Sequence, residues 1–413
     1  MQSFSVLVVS LLIINVVLHI WLNLRQIRSV QTHRNAVPDP FQAYINLEDH
    51  QKAADYTVTK LNFAQKWIIP EAILLLIWTL GGGLNFLDQT WQQAGFSSLW
   101  TGVAVILSFM LIHQLIDLPI DYYRTFVIEE KFGFNKTTVQ LFFIDMLKGF
   151  LLSLAIGVPL IALILWLMAQ MGEFWWLWVT GVLIGFQILM LWAYPTIIAP
   201  MFNTFQPLED ETLKAKINHL LDRNGFKGEG AFVMDGSKRS GHGNAYFTGF
   251  GQKKRIVFFD TLLKSLNPDE IEAVLAHEIG HFKRHHLIKR LVFAVFITTA
   301  SFATLAWLMN QAWFYSGLGI STPSPYMALL LFALIMPLFT FFLSPLFAAL
   351  SRKHEFEADS FAVEQTSSQM LSQALVKLYQ ENASTLTPDA LFSAFHDSHP
   401  PAPVRIAHLN IKT

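Results

Sequence analysis

The stretch Asn267-Pro-Asp-Glu270-Ile-Glu-Ala-Val-Leu-Ala-His277-Glu278-Ile-Gly-His281, then Phe-Lys-Arg-His-His-Leu-Ile-Lys-Arg290 and an apolar run from Leu291 to Trp313, frames the rest of the chain. Asn267 suits a helix N-cap, Pro268 the first helical position, and Asp269 and Glu270 the positive end of a helix. Gly280 is tolerable inside a helix, and no stronger stop precedes Leu291. The stretch therefore predicts one long helix that begins in water and ends in a membrane. His277 and His281 are four residues apart, so they share one helical face. Two imidazoles on one face offer a zinc ion two ligands, and Glu278 beside them is placed as general base for a bound water.

Composition sets the surroundings of that helix. Of 413 residues, 53% are hydrophobic and 14% charged, with 36 Phe and 12 Trp. Soluble domains carry roughly 25% charged residues, so this deficit points to lipid-facing surface. A net charge of −1 gives no reason to expect a nucleic-acid partner. With no Cys there is neither a disulfide framework nor a thiolate ligand, and His and carboxylate must hold any metal.

Apolar runs at Phe4–Leu24, Trp67–Leu87, Leu99–Pro119, Met146–Met171, Phe174–Pro200, Leu291–Trp313 and Tyr326–Leu350 are long enough to cross a bilayer. The first lacks a basic leader and reads as a retained anchor. Residues 35–66 read as polar with helical pieces. The loops at 88–98, 172–173 and 314–325 contain no Lys or Arg, whereas the alternate segments are rich in both. This alternation predicts seven spans with the N-terminus outside and both the metal helix and the C-terminus cytosolic. The chain divides accordingly: 1–200 carries five spans, 201–287 the first part of a metal-binding domain, 288–350 spans six and seven, and 351–413 the second part. His113, Asp117 and Asp121 recur every four residues on the third span, the spacing of a cavity lining or of an interfacial face.

The polar part contains a helix from Glu209 to Asn224, then short β-branched and aromatic runs split by Gly, which predict a small sheet. A sheet edge beside a metal helix can hold an extended peptide. Two histidines are too few for a catalytic zinc site, which has three protein ligands and a water. The third candidate is Glu355, returned to the same membrane face by the hairpin of spans six and seven. Asp359, one turn on, shares its face and is expected to orient a histidine ligand. Glu357 and His354 read as a solvated interfacial face. His399 and Arg405, in the last dense polar cluster, are donors that could stabilise an oxyanion.

Taken together, His277-Glu-Ile-Gly-His281, Asn244-Ala-Tyr-Phe-Thr-Gly-Phe250, Lys254-Arg-Ile-Val-Phe-Phe-Asp-Thr-Leu262, Glu355-Phe-Glu-Ala-Asp359, Ser398-His-Pro-Pro401 with Arg405, Glu129-Glu-Lys-Phe-Gly-Phe-Asn-Lys136 and Pro200-Met-Phe-Asn-Thr-Phe205 resemble the type 1 CaaX prenyl protease family. The resemblance spans nearly the whole chain. It implies a mainly α, polytopic membrane protein in which seven helices surround an intramembrane chamber, closed at one end by a small α+β zinc metalloprotease domain. It also implies active-site roles for His399 and Arg405 and a substrate contact at Asn244; the strand that follows Asn244, placed at the sheet edge, adds Ala245 as a backbone contact. The expected protein is a monomer with one zinc per chain, embedded in the lipid bilayer and acting on a peptide or protein substrate, prenylated or membrane-bound. The lack of any long insertion suggests a bacterial member, in the inner membrane. A membrane quality-control protease would share this chemistry. A seven-helix transporter or receptor with a structural zinc would require a fourth protein ligand.

Overall fold

The computed structural model describes residues 3–248 and 253–411. The first five spans are built from α1 (Ser3–Thr32), α2 (Leu47–Trp78), the short α3 (Gly83–Gln92), α4 (Ser98–Tyr123), α5 (Val139–Gln170), α6 (Trp175–Ala193) and the short α7 (Ala199–Phe202). Next come β1 (Phe205–Pro207), α8 (Glu211–Arg223), β2 (Lys227–Met234), β3 (Ala245–Thr248), β4 (Lys253–Phe259), α9 (Asp260–Ser265) and the metal helix α10 (Pro268–Lys283). Two further spans follow, α11 (His286–Leu308) and, after the short α12 (Ala312–Ser316), α13 (Pro325–Thr340) with α14 (Ser344–Gln365). The chain ends with α15 (Ser368–Glu381), α16 (Ala390–His396) and α17 (Ala402–Ile411). Among the described residues, seven helical stretches are thus long and apolar enough to cross a membrane.

Boundaries shift in two places. Residues 35–66 form mostly one helix rather than pieces, because the Asn46 side chain accepts from the Asp49 N–H and starts α2. That helix runs into the second span, and Gly82, at φ 81°, turns the chain soon after Trp78. At the metal stretch the predicted single helix is in fact two. Arg284 N–H bonds Gly280 O and His285 N–H bonds Phe282 O, closing the last turn of α10. His285 then adopts φ 57°, in the left-handed region, and α11 sets off in a new direction. That conformation costs a non-glycine residue about 1–2 kcal/mol, so surrounding contacts must hold the turn.

The spans pack tightly at one end only. Val8 and Leu12 of α1, Trp78 of α2, Val103 to Ile106 of α4, Ile164 to Met168 of α5, Trp175 and Val179 of α6, Leu305 and Leu308 of α11, and the α13 face from Tyr326 to Leu338 share one core. These are alternately the first and last turns of their helices, as an up-and-down bundle requires. Away from that end no residue is fully buried in 57–77, 139–163, 181–193 or 287–304. The spans share a packed core at one end and bury few side chains along the rest of these stretches.

A second core lies at the open end, where α8, α9, α10, α14, α15 and α17 pack on the sheet. Strand order is β1-β2-β4-β3, with β2 and β4 parallel and both outer pairs antiparallel. β3 is therefore an edge strand. The loop after α4 ties the two parts together. Tyr56 Oη donates to Glu129 Oε1 at 2.7 Å, and the His242 ring stacks on Phe134 at 4.3 Å.

Candidate active site

The metal helix begins as its sequence suggests. Asn267 Oδ1 accepts from the Asp269 and Glu270 N–H groups, and Glu270 Oε2 accepts from the Asn267 N–H, closing a capping box. Lys377 of α15 then pairs with Glu270 at 2.7 Å and braces this end. Further along, Gly280 lets α10 approach α14. A Cβ there would lie 3.0 Å from Ala358 Cα and 3.1 Å from its carbonyl oxygen. Overpacking of this kind costs about 1–3 kcal/mol. Gly280→Ala should therefore lower the unfolding temperature and also weaken metal binding, by moving the histidines away from α14. If both are unchanged in the purified variant, the close approach does not set the site.

This approach brings His277, His281 and Glu355 together. His277 Nε2 and His281 Nε2 are 3.2 Å apart. Glu355 Oε2 is 3.4 Å from His277 Nε2, and Glu355 Oε1 is 3.4 Å from His281 Nε2. Tetrahedral zinc with bonds near 2.0–2.1 Å sets neighbouring ligand atoms roughly 3.3 Å apart, so these two nitrogens and one carboxylate fit it. They are the one such group of ligands among the described residues. Burial, with repulsion from His277, pushes His281 down to about 3, so its ring is neutral and able to ligate. Burial, helped by the Glu355 carboxylate, raises Glu278 above the ordinary carboxylate value, which makes it a stronger base.

Each histidine is also held from behind. His277 Nδ1 lies 2.8 Å from Asp359 Oδ1. Arg405 grips Asp359 with both arms of its fork, Nε donating to Oδ2 at 2.7 Å and Nη2 to Oδ1 at 2.6 Å. The buried guanidinium lies against the His277 ring, with Nη2 3.1 Å from Nδ1 and 3.4 Å from Nε2, and 3.9 Å from Glu355 Oε2. His399 is placed differently. Its side chain is 66% exposed, with Nδ1 2.8 Å from Glu355 Oε2.

Glu357 does not present the solvated face expected of it. Its Oε2 is 2.9 Å from His286 Nε2, and His354 stacks on the same His286 ring at 4.1 Å. Sequence reasoning missed His286, because on an unbroken helix a residue five places after His281 points elsewhere. His113, Asp117 and Asp121 form no ligand group among the described residues. His113 lies against Phe109 and Trp78, lining a cavity of about 480 Å³ with His19 and Glu71, while Asp121 pairs with Arg124.

Asn244 and Ala245 stand at the start of β3. The Asn244 carbonyl accepts from Phe259 N–H at 2.9 Å, so residue 244 faces β4 and the Ala245 N–H turns outward, donating to Asn244 Oδ1 at 2.8 Å. A cavity of about 770 Å³ runs along this edge, lined by Asn244, Tyr246 and Thr248 and by Met190 and Tyr194 from the fifth span. Gly249 and Phe250, which complete the motif begun at Asn244, lie outside the described residues.

Seven membrane helices joined to a domain that carries a His-His-Glu ligand group and an adjacent Glu define an integral-membrane metallopeptidase. Comparison with known proteins agrees. Residues 26–204 match the CAAX prenyl protease N-terminal domain of five membrane helices, and residues 207–412 match peptidase family M48. A CAAX prenyl protease 1 homolog of Oryza sativa is 33% identical over 97% of this chain and 96% of its own. CAAX prenyl protease 1 of Saccharomyces cerevisiae is 42% identical over 72% of this chain and 69% of its own. The crystal structure of S. mikatae Ste24p superposes with a TM-score of 0.92 at 32% identity, covering 99% of this chain and all of that one. The chain belongs to the CAAX prenyl protease 1 group of peptidase family M48. It is a zinc-dependent, multi-pass integral-membrane endopeptidase acting on a peptide or protein.

Proposed function

We propose that His277, His281 and Glu355 hold a single zinc ion, and that Glu278 is the proton carrier for peptide hydrolysis. The observation carrying this is the spacing of the three ligand atoms on α10 and α14, with Glu278 next to one of them. Zinc bound there supplies Lewis acidity and lowers the pKa of a water toward neutrality. The Glu278 carboxylate accepts the proton of the attacking water and later delivers it to the leaving nitrogen. His399, exposed at the mouth, faces the position of the developing oxyanion. Arg405 also lies beside the ligand atoms, with Nη2 3.4 Å from His277 Nε2 and 3.9 Å from Glu355 Oε2, where a donor to the oxyanion is expected. With both arms on Asp359, it positions His277. The substrate extends along β3, with the outward groups of the edge strand available for main-chain hydrogen bonds, and Asn244 and Ala245 contact it there.

The substrate class is read from the relatives, whose names describe prenyl proteases acting on CAAX sequences. This chain is assigned the same class, a peptide or protein with a C-terminal CaaX-type sequence. The test is mass spectrometry of purified, zinc-loaded protein incubated with farnesylated and plain versions of such a peptide. Cleavage of the farnesylated peptide alone or in strong preference supports the assignment. Equal cleavage of unrelated membrane segments favours the quality-control reading, and no cleavage of any peptide overturns the enzyme reading.

The lysine and arginine pattern supports an N-terminus outside and a metal domain and C-terminus that are cytosolic; the chain is read with this as a monomer and, from the lack of a long insertion, as a bacterial member of the inner membrane. A reporter fused after Thr413 is expected to read as cytosolic and a tag before Met1 as external. The same side for both would remove one of the seven spans.

A further inference from the structure

Glu355 and Asp359 explain one face of the metal centre, but His281 has its own partner. His281 Nε2 turns toward the other ligands, at 3.2 Å from His277 Nε2. Its Nδ1 points the opposite way, to His286 Nδ1 at 2.9 Å. A ring that ligates through Nε2 carries its proton on Nδ1. His281 Nδ1–H therefore donates to His286 Nδ1, which must be the bare nitrogen of that ring. This leaves the proton of His286 on Nε2, where Glu357 Oε2 accepts it at 2.9 Å. Each tautomer in this chain of contacts requires the next, and the chain ends at a carboxylate that Lys289 approaches at 3.6 Å.

The surroundings fix this arrangement. The His286 side chain is 1% exposed, its ring sandwiched against His354 at 4.1 Å and 16°. It can reach His281 only because α10 stops at Arg284 and the left-handed His285 swings the chain round. The unfavourable backbone at His285 thus has a counterpart in what it places. His277 is held in a parallel way, by Asp359 and Arg405. The two ligand histidines are oriented by separate partners, one on α17 and α14, the other on α11 and α14.

We infer that His286 and Glu357 are positioning residues for the metal centre, fixing the tautomer and aim of His281. The inference rests on the zinc reading above. Partners of ligand histidines are worth about 10- to 100-fold in metal affinity. His286→Leu should weaken zinc binding by that factor in a competition with a chromogenic chelator. His286→Asn should recover part of the loss, because its Oδ1 can accept the same proton. Glu357→Gln should show a smaller loss in the same direction. Thermal unfolding of the chelator-treated variants supplies the control. The Leu and Asn variants should melt together while differing in zinc affinity, which a merely structural role would not produce. His277→Ala is the reference. If it loses zinc while both His286 variants and Glu357→Gln bind as the parent does, the positioning role is overturned. If His277→Ala also keeps its zinc, the zinc reading falls and this one with it.

Discussion

Glu278→Gln is expected to lose peptide cleavage almost entirely while keeping its zinc. The amide has nearly the shape of the carboxylate but cannot take a proton from water. A well-placed general base contributes roughly 100- to 10,000-fold, and this one also returns the proton to the leaving nitrogen, so the upper part of that range applies. Burial beside Glu355 raises the affinity of Glu278 for a proton, so the substitution also removes a stronger base than an exposed glutamate would be. Because Glu278 is not among the converging ligand atoms, zinc content should match the parent. Near-normal turnover, or zinc loss like that of a ligand variant, would falsify the assignment.

Glu355→Ala should have the opposite signature, losing the metal and with it the activity. Zinc sites with four protein ligands are worth about 10–16 kcal/mol, so one ligand is worth roughly 3–4 kcal/mol, or on the order of several hundred-fold in affinity. The remaining pair of histidines on one helix is a poor site. Glu355 is also 1% exposed and lies 2.8 Å from His399, so its removal frees that ring as well. Elemental analysis after dialysis against a weak chelator decides the matter. Full zinc occupancy in Glu355→Ala would place the third ligand elsewhere.

Much of this architecture can be read from local pattern. Seven apolar runs are visible because a bilayer demands some 20 consecutive apolar residues whatever their tertiary neighbours. The pairing of Glu355 with Asp359 on one face follows from helical phase, and the structure sets Asp359 against His277. What could not be read depends on a single backbone choice. No glycine or proline marks the end of α10, and His285 enters the left-handed region without a sequence signal. Everything that follows from that turn was hidden with it, including the reach of His286 to His281 and the partner of Glu357. Arg405 illustrates a different limit. Its residue type suits an oxyanion donor, but only the fold shows its guanidinium beside both nitrogens of His277 with both arms engaged on Asp359.

The bundle fastened at one end bears on how such a protein can change over time. Close-packed interiors punish a gain or loss of even one methylene group. The residues facing that penalty here are gathered in the clasp at one end of the spans and in the metal domain at the other. The long wall between them contains stretches with no fully buried residue at all. Side chains along it can drift in volume at little cost to folding, while those that face lipid stay apolar. Appetite for new substrates can therefore be retuned in the wall while the catalytic and fastening ends stay as they are.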